Sequence, residues 1–562
     1  MINLGRPSSA GGRRGRPALA AALSTLVPGV GQWYAGRRRR AWLLLGLAGV
    51  GLAGVVWLVA RGSTYLLRTF VQPRWLWLLL AANLLVLGIR AFAVADAYAL
   101  ERRLRPGAQP GRGWPGRALL VVLLAVTVVP HAVLFDYGLE AISTIEALTV
   151  SGELPSLEER EQGLIDQGVS EEDLGPTTTS TVPATTTTAS ATLSTLPWGA
   201  PWDKEDWLPA DDLNPARPLI TPVEVAPYDA PFQPLHERLE KDRLTVLLAG
   251  GDAGPGRWSL RTDVMIVATL NLETGKAVLF SISRDMVNAP LPEAWDESFI
   301  DMDYKEAVEA AEQAGEEPPA REGFESCGCF PDRINGIWTF TSTWVRTFPE
   351  AVDPGMEALR QTLGLLLGLP IDYYVLVDMA GFVDLVDALG GLDIYVSETM
   401  DVGFSPAREG ENPVVVTIAE PGTYHLDGHQ ALAFVRNRTN TNDAARMRRQ
   451  RCTLRALAAE IDPPTLALRF PQIARALRES ATSNVPLSFL PDLVEYAAAL
   501  ELDDIATVVF GYPYYAPELN HHNLPIVDPG RIQAKVRSAL AAVETVAGAA
   551  DLLEACDVLP AR

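Results

Sequence analysis

The sequence predicts an α/β domain layered around one mixed sheet, carried behind an N-terminal helical transmembrane region. Three observations lead there. The first 138 of the 562 residues hold 17 Lys+Arg against 3 Asp+Glu and contain three long apolar runs, whereas the rest holds 30 against 66. From residue 241 the chain opens with three β-type apolar runs, LTVLLAG, DVMIVATLN and KAVLFSIS, the last two joined by a Glu-Thr-Gly turn. Short β-type runs then alternate with helical patterns, which argues strands and helices stacked in layers. The early hairpin makes the sheet mixed rather than all parallel.

Taken in order, a basic, Gly-rich start leads into an apolar run at 18–27, which Pro28, Gly29 and Gly31 stop short of the roughly 20 residues a spanning helix needs. Spans are expected at about 41–60, 75–98 and 118–135. Arg90 and Asp96 fall near the end of the second, where a long side chain reaches the interface. Arg37 to Arg40 run straight into the first span with no convincing cleavage site, which argues against a cleaved signal peptide. Eight arginines up to Arg40 and five over 99–117 put both segments on the cytoplasmic side, outnumbering the three arginines of 61–74. Three spans then leave everything after Phe135 outside the cytoplasm.

Residues 139–240 read as an acidic, Thr/Ser/Pro-rich extracytoplasmic linker. EEREQGLIDQGVSEEDLG gives way to PTTTSTVPATTTTASATLSTLP and then to a Pro-rich run, compositions that bury too little apolar surface to offset chain entropy. The folded domain is expected over 241–562. After the three strands come helical patterns at about 304–313 and 355–366, a strand at 373–378, a helix at 381–389 and a strand at 392–396. Helices follow at about 444–461, 464–476 and 487–498, then a strand at 506–510 and a closing helix at 529–549.

The densest chemistry lies in QALAFVRNRTNTNDAARMRRQR, residues 430–451, with six arginines in sixteen positions. Arg436 and Arg438, two apart, would share one side of an extended segment. Asp443 reads as the N-cap of a helix on which Arg446, Arg449 and Gln450 lie at i, i+3 and i+4. Forked guanidinium groups held together suit a pyrophosphate or a carboxylate. A local knot in so acidic a chain argues against nucleic acid, which needs a broad basic footprint. Asp252 and Asp263 sit where one strand ends and the next begins, hard oxygen donors suited to Mg²⁺, and Arg284 leaves its strand nearby.

In order along the chain, GGD, LRTD, VLFSISRD, DRINGIW, GLPIDYYVLVDMAGFVDLVDALGGLDIYV, YHLDGHQALAFVRNR and ARMRRQR resemble the LytR-CpsA-Psr domain. The resemblance implies a three-layer α/β/α sandwich with a mixed central sheet and a buried groove for a prenyl tail. It implies a phosphotransferase that joins a glycopolymer, carried on a polyprenyl diphosphate, to a peptidoglycan hydroxyl through a phosphodiester, and so a multi-pass membrane protein with its catalytic domain extracytoplasmic. Carried over residue by residue, Asp252 and Asp263 become the Mg²⁺ carboxylates. Arg284, Arg436 and Arg438 become the catalytic cations on the diphosphate, Arg446, Gln450, Arg261 and Arg449 its further ligands, and Asp443 the candidate base. The chain departs from the family pattern at Ala253 and Gly254, where many members have Arg, at Ser283 in place of Pro, and in an extra pair of spans. A non-catalytic lipid-diphosphate receptor or envelope sensor is the alternative, because it needs the same binding groups.

His521 and His522 are adjacent, a spacing at which side chains diverge on most backbones, so they read as loop residues rather than metal ligands. All four cysteines follow the last span, where disulfides persist. Cys327 and Cys329 look too close for a relaxed loop, and Cys452 is expected to pair with Cys556, the alternatives being two buried thiols or a pairing of each with Cys327 or Cys329.

Overall fold

The computed structural model describes residues 17–61, 72–104, 114–148, 156–175, 241–252, 261–396, 399–404, 414–418, 420–437, 443–460, 505–543 and parts of 469–496. It divides into two compact units, residues 1–143 and 144–562.

In the first unit, a short helix Pro17–Leu26 precedes three long ones, α1 (Arg38–Ala60), α2 (Pro73–Leu104) and α3 (Trp114–Leu148). Within them Arg38–Leu58, Arg74–Arg103 and Ala118–Ser143 are long and apolar enough to cross a membrane. Asp96 and Arg90 of α2 are both bonded within this unit. Asp96 accepts from Arg40 Nη1 at 2.8 Å and from Gln32 Nε2 at 3.3 Å, and Arg90 Nη2 donates to the Thr25 carbonyl at 3.0 Å. Gly31 permits this packing, since a Cβ there would lie 2.0 Å from the Ala20 carbonyl oxygen and 2.8 Å from Ala97 Cβ.

The second unit begins with a correction. Part of the stretch expected to be tether is folded: α4 (Leu157–Asp166) opens with a capping box between Ser156 and Glu159. Arg160 donates to the Pro349 and Ala351 carbonyls at 2.7 and 2.9 Å, Glu161 pairs with Arg346 at 3.0 Å, and Leu174 is fully buried. The acidic composition concealed one apolar anchor and two arginine clasps. Residues 176–240 lie outside the described residues.

The frame of this unit is a six-stranded mixed sheet. Strands β1 (Arg243–Gly251), β2 (Thr262–Asn271) and β3 (Ala277–Ile282) form an antiparallel meander. They are followed by α5 (Ile300–Ala314), α6 (Pro354–Leu367), β4 (Tyr373–Val377) and α7 (Met379–Leu389). Then come α8 (Gly428–Arg436), α9 (Asp443–Glu460), β5 (Ala481–Ser483), β6 (Ile505–Phe510) and α10 (Pro529–Val543). The strand order is β5-β4-β1-β2-β3-β6, with β4 parallel to β1 and β6 parallel to β3.

Alternation along the central strands assigns each face a job. Leu247 and Ala249, Met265 and Val267, and Tyr374 and Leu376 point to one face, where α6 and α10 close the main core. Leu248, Val264, Ile266, Val375 and Val377 point to the other, where α7, α8 and α9 stand off and leave a cavity. Gly428 lets α8 start hard against α7, because a Cβ there would fall 2.3 Å from the Val383 carbonyl oxygen.

The strand expected at 392–396 is present, but the sequence missed its antiparallel partner Gly422–Leu426 and the strand pair Met400–Phe404 with Val414–Ile418. Each missed strand is only five residues long. The helical patterns at 464–476 and 487–498 lie mostly outside the described residues. Cys327 and Cys329 are bonded to each other, Cα to Cα 5.1 Å, with Gly328 supplying the positive φ (62°) that so short a ring needs. Cys452 is disulfide-bonded, and Cys556 lies outside the described residues.

Candidate functional site

The cavity has a volume of about 880 Å³ and two different ends. Its walls are apolar along the sheet and along α7, α8 and α9, where Phe382, Leu385, Leu454 and Leu457 are only half-buried and face the space. Its mouth lies at the carboxyl end of β1 and is charged, with Asp252, Arg261, Asp263, Arg284, Arg436, Arg446 and Gln450 all lining it. A long amphiphile with an anionic head fits such a shape.

At the mouth, a bulge at Gly250/Gly251 ends the β1–β2 ladder next to Asp252 and Asp263. The backbone N–H groups of Asp252 and Asp263 both donate to the Arg261 carbonyl, at 2.9 and 3.1 Å, and Asp252 Oδ1 accepts from Arg261 N at 2.8 Å. Asp263 pairs with Arg284 and accepts from Asn335 Nδ2 at 3.1 Å. Burial alone would raise the Asp263 carboxyl, but Arg284, Arg446 and Asn335 outweigh it and hold the group below the usual carboxylate range. It is therefore ionised at neutral pH. Arg284 Nε and Arg333 Nε also lie 3.7 and 3.8 Å from Asp285 Oδ1, so cations and carboxylates alternate around the rim.

The helices supply the remaining cations. Arg436 does not lie on an extended segment. It is the last residue of α8, which opens with a capping box between Asp427 and Gln430 and continues on the buried Ala431, Leu432 and Val435. That apolar spacing is helical, so the two-residue interval to Arg438 does not describe a strand at Arg436. Its guanidinium touches Met379 Sδ and lines the cavity. Arg446 and Gln450, one turn apart on α9, are 3 % and 8 % exposed and line it too. Arg449 does not line it. Its Nε donates to the Phe434 carbonyl at 3.1 Å and its Nη2 to that of Asn437, which secures the end of α8. Asp443 is the first residue of α9, its side chain lying outside the described residues, as does the whole of Arg438.

Three further residues reach the mouth without having been assigned to it from sequence: Asp285, Arg333 and Asn335. Their signal was present in SISRD and DRINGIW. Asp285 directly follows Arg284, and Asn335 stands in a 3₁₀ turn at Ile334–Gly336, a tight turn that aims a short amide at Asp263.

The LytR_cpsA_psr family model matches residues 224–311 and 322–514, half of the chain. Biofilm regulatory protein A of Streptococcus mutans is 24% identical over 265 residues, covering 46% of this chain and 54% of that protein. A Bacillus cereus protein named polyisoprenyl-teichoic acid–peptidoglycan teichoic acid transferase TagU is 30% identical over 252 residues, covering 44% and 63%. The chain thus spans between 54% and 63% of the length of these two curated relatives. Among solved structures, Bacillus subtilis TagV aligns with a TM-score of 0.37 at 21% identity over 54% of this chain and 97% of that one. TagT bound to LI-WTA aligns at 0.34 and 19% over 55% and 91%.

Proposed function

Because the chain belongs to the LytR-CpsA-Psr family, we propose that it is a transferase that moves a glycopolymer from a polyprenyl-diphosphate carrier to a peptidoglycan hydroxyl. The observation that best supports this reading is the two-part cavity, an apolar body sized for a lipid tail that ends in a rim of arginines. In this reading Arg284, Arg436, Arg446 and Gln450 hold the diphosphate, Arg261 lines the same cavity, and Arg438 serves as a further catalytic cation. The acceptor hydroxyl attacks the phosphorus that bears the glycan. The P–O bond to the prenyl phosphate breaks, its electron pair leaves with prenyl monophosphate, and Asp443 takes the hydroxyl proton. Fixed cations stabilise the charge that accumulates on the bridging and terminal oxygens, the usual source of rate in phosphoryl transfer.

Asp252 and Asp263 would hold Mg²⁺. The donor set fits, since both are oxygen ligands that line the same cavity and Asp263 is already ionised. When bound, Mg²⁺ supplies further neutralisation of diphosphate charge. The three apolar helices would span the membrane with residues 144–562 on its outer side.

The test is turnover by the full chain in detergent, given a polyprenyl-diphosphate glycan and peptidoglycan, with and without chelator. The expected products are phosphodiester-linked polymer and prenyl monophosphate, both lost on chelation. Tight carrier binding without product would overturn the proposal in favour of a lipid-diphosphate receptor.

A further inference from the structure

Away from the cavity, α5 and a tight hairpin bring four metal-ligating side chains together. The hairpin runs from Glu518–Leu519 to Pro525–Ile526, and its turn is fixed by Asn520, whose Oδ1 accepts from the backbone of His522 at 3.0 Å and Leu524 at 2.9 Å. Asn523 closes the turn at φ 59°, a left-handed conformation that Asn tolerates. The consequence is contrary to the expectation for adjacent histidines: the rings of His521 and His522 lie 3.8 Å apart, centroid to centroid, rather than diverging. Both face Glu306 and Glu309, which stand at i and i+3 on α5. None of the four lines the cavity.

We propose that Glu306, Glu309, His521 and His522 form a binding site for a divalent transition cation of the Zn²⁺ class. Each residue offers one ligand atom, and these atoms lie within 4.8 Å of one another. His522 Nε2 is 3.3 Å from Glu309 Oε2 and 3.6 Å from Glu306 Oε2, and His521 Nε2 is 3.8 Å from Glu309 Oε2. A tetrahedral zinc with bonds of about 2.0–2.2 Å sets its ligand atoms roughly 3.4 Å apart, so these three pairs are within tenths of an ångström of that spacing, and the widest in the group, at up to 4.8 Å, closes by a side-chain adjustment of about an ångström.

A second observation singles out a missing partner. The His521 side chain is only 9% exposed, yet its Nε2 is buried with no hydrogen-bond partner. Burying an unserved ring nitrogen is costly, and a cation at the centre of the four groups serves it. The next layer is in place, because Asn520 Nδ2 donates to Glu306 Oε1 at 3.0 Å and His521 Nδ1 lies 3.2 Å from the same oxygen. Two imidazoles select against Mg²⁺ and Ca²⁺, which separates this site from the carboxylate pair at the cavity mouth. Bound metal would staple the hairpin to α5. Val287, three residues after Arg284, donates to the Pro525 carbonyl at 2.9 Å, so the staple would brace the segment that leaves the cavity rim.

The experiment is Zn²⁺ binding to the metal-stripped, tag-free full chain by calorimetry, in excess Mg²⁺. We expect one Zn²⁺ per chain and a higher Tm with zinc. Affinity should fall about 100-fold or more in His522→Gln and in Glu309→Gln, both half-exposed positions that leave folding intact, and in His521→Ala. Asp252→Asn with Asp263→Asn should bind zinc as the parent does. No binding at micromolar zinc, parental affinity in His522→Gln and Glu309→Gln, or loss confined to the Asp252/Asp263 variant would each overturn the assignment.

Discussion

Arg449 Nε donates to the carbonyl of Phe434 at 3.1 Å, so an arginine in the middle of the cationic cluster is committed to its own chain rather than to a ligand. The bond matters because α8 ends two residues later, and the last carbonyls of a helix have no partner within it. Arg449→Ala would remove a buried donor from the Phe434 and Asn437 carbonyls. The expected cost is about 1–3 kcal/mol of stability, with transfer falling because Arg436 loses its fixed seat. Thermal unfolding of the full chain checks it, and a variant with parental Tm and reduced activity would show that Arg449 reaches the ligand after all.

Arg436→Ala is expected to behave in the opposite way. Its guanidinium faces the cavity from the end of α8, so removing it deletes a forked contact to diphosphate while leaving the packing of Ala431, Leu432 and Val435 alone. Loss of a charge-assisted contact of about 1.5–3 kcal/mol predicts a drop of roughly tenfold to a hundredfold or more in kcat/KM at unchanged Tm. Arg438→Ala is expected to match it. Parental transfer rates in both variants would remove these arginines from the site.

What the sequence made legible follows from signal length. The meander β1–β2–β3, the helices α6 and α7, and β4 announce themselves by sustained apolar periodicity. Met400–Phe404 does not, since pairing rather than composition makes it a strand, whereas Val414–Ile418 is β-branched throughout and its strand was legible in composition though missed. Asp252, Asp263, Arg284, Arg436, Arg446 and Gln450 come together as the motifs imply. Arg449 does not, because residues at i+3 on α9 diverge enough for one to enter the cavity and the other to turn under it. Nor could sequence show that α4 folds back onto the domain, for its hold depends on carbonyls at Pro349 and Ala351 nearly 200 positions away.

Asp263 gives the domain an acid-sensitive contact. Its folded-state pKa lies below the ordinary 3.8, so the stabilisation it contributes is fully present above that value and is lost as pH falls through the folded one. Asp263→Asn should therefore be less stable than the parent at pH 7, by about 1–3 kcal/mol for the lost charge-assisted acceptor. The gap should hold down to about pH 5 and narrow below about pH 4. Unfolding of parent and variant across that range measures it, and a gap unchanged at pH 3 would mean that the carboxylate charge contributes nothing.

The apolar end of the cavity makes a prediction of its own, which depends on tail length. Leu385 on α7 is half-buried, with its free surface turned into the cavity, so Leu385→Asn alters the lining more than the core. If a prenyl chain occupies that space, the variant replaces an apolar contact with an amide that gains no partner. Burying a leucine-sized apolar surface is worth about 1.5–3 kcal/mol, so KM for a long-tailed carrier should rise roughly tenfold to a hundredfold. A carrier with a tail of one or two isoprene units, which offers the apolar wall far less surface, should lose far less. Measuring both KM values in parent and variant forms a cycle in which only the coupling between tail and wall survives subtraction. Equal losses for long and short carriers would place the tail elsewhere.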